Sequence, residues 1–336
     1  MLLNKYFDKK KVKKILLIKN DMIGDIILSS NVFRELREEF PKAKITLVCS
    51  ELNKSLVEKN PYFEEIIVLN SAPRTFKDFL SYLKASIKIR KEKYDLGVEL
   101  RGSFSNIFFL MFLPGIKYRI GFYSQYYGKF LLHYGKTKKD YENKKRHCVL
   151  QRLDLINNGL GLNRKNYWPE IWTDKGDEKY TNKLMKKNGL KKKQFICIVP
   201  DSSMEKKAMP IEKFDLLIKH FEKNYPEKKI LILGTDKKKI DWLKKKHPQI
   251  IVLIKENLRV LYLLFKKSSL IIAHDGGPMH IAWVGRSPTL ALIEKYLPLE
   301  YIEPLGKNGH YIYAELKKIK VSEITEKIDE ILAKKS

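Results

Sequence analysis

Cysteine is scarce in this chain. Cys49, Cys148 and Cys197 are the three among 336 residues, widely spaced and without a Cys-x-x-Cys pair. That odd, sparse set excludes a disulfide framework and fits a reducing cytoplasm. Long apolar runs are lacking too. The longest, residues 107–114, falls far short of the roughly 20 that a membrane-spanning helix needs. Residues 1–14 lack the apolar stretch of a signal peptide. Acidic residues are outnumbered, 39 Asp and Glu against 67 Lys and Arg, for a formal charge of +28. Such a field draws nucleic acid, acidic membrane surfaces or phosphorylated substrates. The lysines, however, are scattered through helix-like segments with no RGG, zinc-finger or polybasic-tail pattern. A solvated face explains most of them, and nucleic acid is not expected as a partner.

Several catalytic signatures are also absent. The first strand-to-helix loop has one glycine, Gly24, so the Gly-x-Gly-x-x-Gly dinucleotide fingerprint is missing. Gly135-Lys136-Thr137 ends like a P-loop, but Phe130 stands at the upstream glycine position. There is no Asp-x-Asp, no HExxH and no Cys/His cluster, so neither a metal site nor a cofactor is expected. Dehydrogenase, ATPase and metal-dependent transferase chemistry all lose support.

What is present is an α/β alternation, in a chain long enough for two domains and 44% hydrophobic. Residues 15–18, 45–49, 65–69 and 96–100 are strand-like. Between them, 26–40 carries Ile26, Ile27, Val32, Phe33 and Leu36 on one helical face, with Pro41 as a stop, and 76–92 repeats the design with Phe79, Leu80, Leu83 and Ile87. This order implies a parallel sheet covered by helices on both faces. The pattern then restarts, with strand candidates at 195–199, 229–233, 250–253, 270–273 and 289–292 and helix candidates at 211–224, 237–247 and 258–267. Gly159, Gly161 and Pro169 mark a linker. The expected division is a domain over 1–158, a linker over 159–172 and a domain over 173–336, with a last helix, 323–333, that presents Ile324, Ile328 and Ile331 and is free to pack back on the first domain.

Two loops hold the chemistry. Asn20-Asp21-Met22-Ile23-Gly24-Asp25 follows the first strand and offers a carboxylate with little around it. Asp25 is either a first-turn residue favouring the helix dipole or a general base at a cleft mouth. His274-Asp275-Gly276-Gly277-Pro278-Met279-His280 follows a second-half strand. Its glycines, its proline suited to a first helical turn and its two histidines describe a phosphate cradle, with a positive-φ backbone expected at Gly277. Asp201-Ser202-Ser203, with Lys206 and Lys207 before Pro210, offers hydroxyls, amides and a cation, or simply a solvated loop. Residues 104–113 are apolar all round, which fits a buried helix better than membrane contact. The aromatics from Phe122 to Tyr127, Tyr123 among them, suit sugar stacking or an ordinary surface loop.

Together these segments resemble the heptosyltransferase family, glycosyltransferase family 9. Residues 14–25 are similar to its opening strand and Gly-Asp loop. Glu99-Leu100-Arg101-Gly102-Ser103 and Arg119-Ile120-Gly121-Phe122 resemble its middle segments. Residues 200–210 resemble its Pro-Gly-x-Ser…Lys-x-Trp-Pro segment, and 274–280 its Asp-Thr-Gly-Pro-x-His signature. The resemblance implies a GT-B fold, two Rossmann-like doubly wound domains facing across a cleft. It also implies an inverting, metal-independent transfer from a nucleotide-diphosphate sugar, ADP-heptose first among them, to a lipid A-core or related glycolipid acceptor, at the inner face of the inner membrane and against its anionic surface. By matching position Asp25 is the base. Ser202, Ser203, Lys207, Asp275, Gly276, Gly277 and His280 surround the diphosphate, and Asp236 reaches the ribose. Arg101, Arg119 and Tyr123 fall on the acceptor side. Departures concentrate on the donor side: Gly276 stands for Thr, Ala208-Met209 precede Pro210 without the Trp, and Ile293-Glu294-Lys295-Tyr296 replaces Phe-Gly-Pro-Thr. A GT-B transferase using another nucleotide sugar and a non-catalytic polyanion-binding homologue are the alternatives.

Overall fold

The computed structural model describes residues 7–70, 72–124, 126–137, 145–202 and 204–333, without the side chains of Tyr126 and Tyr127. Ser203, expected on the donor side, lies outside these residues. The chain forms two compact domains, residues 1–170 and 171–336.

The first domain is built on six parallel strands: β1 (Lys14–Ile18), β2 (Lys44–Cys49), β3 (Glu65–Val68), β4 (Leu96–Glu99), β5 (Tyr118–Phe122) and β6 (Tyr134–Lys136), in the order β3-β2-β1-β4-β5-β6. The second repeats it with β7 (Phe195–Val199), β8 (Lys229–Gly234), β9 (Ile251–Ile254), β10 (Leu270–His274), β11 (Thr289–Glu294) and β12 (Gly309–Ala314), in the order β12-β11-β10-β7-β8-β9. Central strands covered on both faces read as unbroken apolar runs, which is why β1 and β7 are legible in the sequence. β5, β6 and β12 are not. β5 is interrupted by Arg119 and Gly121, β6 is three residues long, and β12 is a half-exposed edge strand.

Three helical segments differ from their sequence pattern. The helix expected over 26–40 is two, Ile23–Ile27 and Ser30–Glu39. Ser29 Oγ donates to the Asp25 carbonyl and Ser30 Oγ to that of Ile27, a serine pair that interrupts the backbone ladder. In the helix Phe76–Glu92 the inward face is Tyr82, Ala85, Ser86 and Ile89, so the apolar stripe expected in the core faces outward. The all-apolar segment holds a π-helix, Asn106–Phe112, which buries Ile107, Leu110 and Met111 but leaves Phe112 and the following Leu113 exposed.

The expected linker is largely docked. The buried Arg34 guanidinium donates to the carbonyls of Asn166 (2.7 Å) and Trp168 (3.1 Å) and pairs with Glu170, so the domain boundary falls after residue 170. The terminal helix Val321–Ala333 belongs to the second domain, where Ile324, Ile328 and Ile331 pack in one core with Phe214, Phe221 and Leu316.

The helix Phe76–Glu92 gives a direct test of this packing. Ile89 is 1% exposed and Ile87 59%. Ile89→Ala should lower the unfolding free energy by about 2–5 kcal/mol, and Ile87→Ala should change it by less than about 0.5 kcal/mol. Urea titrations of the two variants measure both, and the reverse ranking would place the sequence stripe in the core after all.

Candidate active site

Each sheet reverses its strand order once, between β1 and β4 in the first domain and between β7 and β10 in the second. In doubly wound folds, ligands collect at the carboxyl ends of the strands at such a point. Both sequence loops lie there.

At the first reversal, Lys19 leaves the end of β1 almost fully buried. Its ammonium donates to Asp21 Oδ2 (2.8 Å) and to the Leu100 carbonyl beyond β4 (2.9 Å), and lies 3.7 Å from Asp25 Oδ1. Asp25, in the first turn of the helix Ile23–Ile27, is about two-fifths exposed. Its Oδ1 also accepts from the guanidinium of Arg152 at 2.8 Å, which arrives from the helix Cys148–Leu160 and is itself buried. Where the local sequence puts little around Asp25, the fold brings two cations that hold its orientation.

Behind Lys19 lies a buried polar network. Glu99, fully enclosed at the end of β4, accepts from the backbone N–H groups of Gly102 (2.6 Å), Arg101 (3.1 Å) and Ser103 (3.3 Å) and from Asn106 Nδ2 (3.2 Å). Burial pushes its carboxyl above the ordinary range against the pull of these donors. Asn106 also donates to Asn20 (2.9 Å) and accepts from Tyr82 (2.9 Å). The network shapes the Arg101-Gly102-Ser103 turn, where Gly102 has φ +88°.

At the second reversal, Lys207 Nζ donates to Asp275 Oδ2 at 2.6 Å, joining the β7 and β10 loops. His280 Nδ1 accepts from Trp283 Nε1 (3.0 Å), which directs its Nε2 toward Asp275 Oδ1, 3.8 Å away. Gly276 caps the helix Gly277–Val284, and it is Gly276, not Gly277, that has a positive φ, +155°. No heavy atom lies within 4 Å of a Cβ built there, so the need for glycine is conformational and a threonine would be strained in open space.

His274 is a tether and not a ligand group. The Met209 N–H donates to its Nε2 (2.8 Å), so the ring proton sits on Nδ1 and is donated to the Asp201 carbonyl (3.1 Å). Burial brings its pKa down to about 4. Asp201, an acid where the family segment has glycine, turns its Oδ2 to the N–H of Thr235, the N–H of Asp236 (3.0 Å) and the Thr235 hydroxyl (3.0 Å). It thereby fastens the β7 loop to the β8 loop. Asp236 caps the helix Lys237–Lys246 and stays partly exposed beside it, while the Ser202 hydroxyl turns back to the Met204 carbonyl (3.0 Å).

The acceptor-side residues separate. Arg119 is near the amino end of β5, away from the loop edge, and its guanidinium donates to the carbonyls of Leu131 (2.7 Å) and Ile116 (2.6 Å) over the Phe112 ring. These contacts hold the guanidinium against the backbone at that end of the strand. Tyr123 follows β5 at the loop edge, its Cβ against Gly128 and its ring against Gly135, where an added Cβ would come within 2.8 and 2.9 Å. Arg101 sits half-buried on the Glu99 turn. Sequence reasoning missed Lys19, Arg152 and the tethering role of Asp201. The signals were a lysine directly after an apolar strand, an arginine among Val149, Leu153 and Ile156, and an acid in a glycine position.

The tether gives a pH test. Because the folded-state pKa of His274 is depressed from 6.5, the neutral ring's contribution is complete above about pH 6.5 and is lost as pH falls toward about 4. This group should remove up to about 3 kcal/mol of stability across that window, and His274→Gln should lack that part of the acid limb. Urea unfolding of both proteins across the window measures the difference, and parallel profiles would contradict the tether.

Comparison with known proteins identifies the family and the fold. Residues 83–331 match the family model of glycosyltransferase family 9 (heptosyltransferase). Lipopolysaccharide heptosyltransferase 1 of Campylobacter coli is 25% identical over 292 residues, which span 83% of this chain and 83% of that protein. The glycosyl transferase family 9 structure from Veillonella parvula DSM 2008 superposes with a TM-score of 0.82 at 18% identity, covering 98% of each chain. E. coli ADP-heptose lps heptosyltransferase II superposes at 0.77 and 20% identity, covering 96% of this chain and 99% of that one. The fold is GT-B, with two Rossmann-like doubly wound domains. With the family match running over most of its length, the chain belongs to glycosyltransferase family 9, the heptosyltransferase family, and is a glycosyltransferase.

Proposed function

We propose that this enzyme transfers a sugar, heptose from an ADP-linked donor, to a lipopolysaccharide-core or related glycolipid acceptor, with inversion and without a divalent metal. The observation that carries the reading is the Lys207–Asp275 pair at the second strand-order reversal, next to the glycine cap of the helix Gly277–Val284. The lysine has three protons and Asp275 takes one, so the ammonium can hold an anion while the carboxylate fixes its place. The open helix start adds amide donors. The E. coli structural neighbour is an ADP-heptose lps heptosyltransferase, and the Campylobacter coli relative is a lipopolysaccharide heptosyltransferase; both support the choice of substrates.

In the proposed step, Asp25 accepts the proton of an acceptor hydroxyl as that oxygen bonds to the anomeric carbon. The bond from that carbon to the diphosphate breaks on the opposite side, which inverts the centre. Negative charge builds on the departing nucleoside diphosphate, where Lys207 and the amides beside Gly276 and Gly277 stabilise it, and loss of one such donor commonly costs about 3–4 kcal/mol. Asp236, at the end of β8, is assigned to the ribose hydroxyls. Arg101 and Tyr123 are retained for the acceptor. The enzyme works in this reading as a peripheral protein at the cytoplasmic face of the inner membrane. Among the described residues no helix is long and apolar enough to cross one.

The test is the pair Asp25→Asn and wild type, assayed with ADP-heptose and a core acceptor in EDTA. Wild type should be fully active, and Asp25→Asn should turn over roughly 10²–10⁴-fold more slowly with donor binding kept. Wild-type turnover by the variant, or activity that needs added Mg²⁺ or Mn²⁺, would overturn the mechanism. Activity with UDP- or GDP-sugars alone would replace the donor.

A further inference from the structure

The helix Phe76–Glu92 carries a second apolar face that is largely exposed among the described residues. Phe76 is 76% exposed, and Phe79, Leu80 and Ile87 are exposed with it. At about 3.6 residues per turn these positions fall in one stripe, turned away from the buried face of Tyr82, Ala85, Ser86 and Ile89. Lys77, Lys84, Lys88 and Lys91, all exposed, line one flank of that stripe. Its other flank continues onto the π-helix Asn106–Phe112 through ring contacts, with centroids 6.5 Å apart for Phe76 and Phe79, 5.8 Å for Phe79 and Phe109, 5.1 Å for Phe109 and Phe108, and 6.0 Å for Phe108 and Phe112. Phe112 and Leu113 end the run exposed.

We propose that this face, centred on Phe76, Phe79, Leu80, Ile87, Phe112 and Leu113, is where the protein sits on an anionic lipid bilayer. Apolar surface this continuous on a soluble face marks an interaction site. An exposed helix with bulky apolar side chains along one line and lysines beside it has the composition of a segment lying in a membrane interface, with rings in the acyl boundary and ammonium groups at the phosphates. A second copy of the chain fits less well. Antiparallel two-fold pairing would bring two lysine rows of the same sign alongside each other, and any pairing joins chains that each carry a formal charge of +28. The proposal takes its purpose from the reading of the acceptor as a glycolipid, but its test uses neither donor nor acceptor.

The experiment is flotation of the full chain with vesicles of phosphatidylcholine plus phosphatidylglycerol and with phosphatidylcholine alone. Wild type should float with the anionic vesicles. Phe76→Ser/Ile87→Ser and Lys77→Glu/Lys84→Glu/Lys91→Glu should each lose at least about tenfold in partitioning. Leu216→Ser, an exposed apolar position on the second domain, should float like wild type. Equal flotation of wild type and Phe76→Ser/Ile87→Ser overturns the proposal. So does a wild type that stays with the soluble fraction, whether monomeric or self-associated by sedimentation velocity. Transfer to a soluble, delipidated acceptor, measured in parallel, tells failure of this face from failure of the transferase reading.

Discussion

In each sheet the chain lays three strands outward from the middle, returns to the middle, and lays three more the other way. Right-handed crossovers then send the two central loops apart, leaving a crevice that backbone alone does not fill. Here a lysine spans it both times. Lys19 reaches from β1 to the carbonyl of Leu100, and Lys207 reaches from the β7 loop to Asp275. A buried ammonium is costly unless paired, so Lys19 dictates the polar groups around it, and the partly buried Lys207 is paired as well. At the first reversal these are Asp21 and Asp25, and at the second Asp275 with His280 behind it. Site geometry therefore follows from strand order plus two side chains.

The two crevices present different groups, and the proposed reaction gives them different roles. The first gathers carboxylates over one lysine and one arginine, and its most exposed carboxylate, Asp25, is held by both cations and is the proposed proton acceptor. The second has an ammonium, a glycine cap and an open helix start, which are donors for an anion. Transfer of a sugar from a diphosphate requires one group of each kind. In the proposed reaction a fixed cation with amides takes the place of a metal in stabilising the leaving diphosphate.

Most of the fold is legible where burial makes sequence speak. β1, β2, β7, β10 and β11 are covered on both faces and read as apolar runs. Legibility fails where periodicity has two readings. The helix Phe76–Glu92 has two apolar faces, and the larger side chains are on the one turned to solvent, so counting hydrophobicity chooses the wrong face. The loops that hold Asp25, Lys207, Asp275 and His280 can be found from small residues after strands. Their partners cannot, because Arg152 is 127 residues from Asp25 and only tertiary structure joins them. Nor can the sequence say which of two adjacent glycines takes the positive φ, or that His274 is locked between Met209 and Asp201.

Whether the second crevice holds a nucleoside diphosphate through the charge of Lys207 is tested most directly by calorimetric titration of ADP. The proteins to compare are wild type and Lys207→Gln/Asp275→Asn. The double variant keeps a hydrogen-bonded pair of similar shape between the two loops while removing both charges, so folding is preserved and only the fixed cation is lost. Wild type should bind ADP saturably, and the double variant at least about tenfold more weakly, as expected for losing a charge-assisted contact to phosphate. Equal affinity in the two proteins would contradict the role given to Lys207.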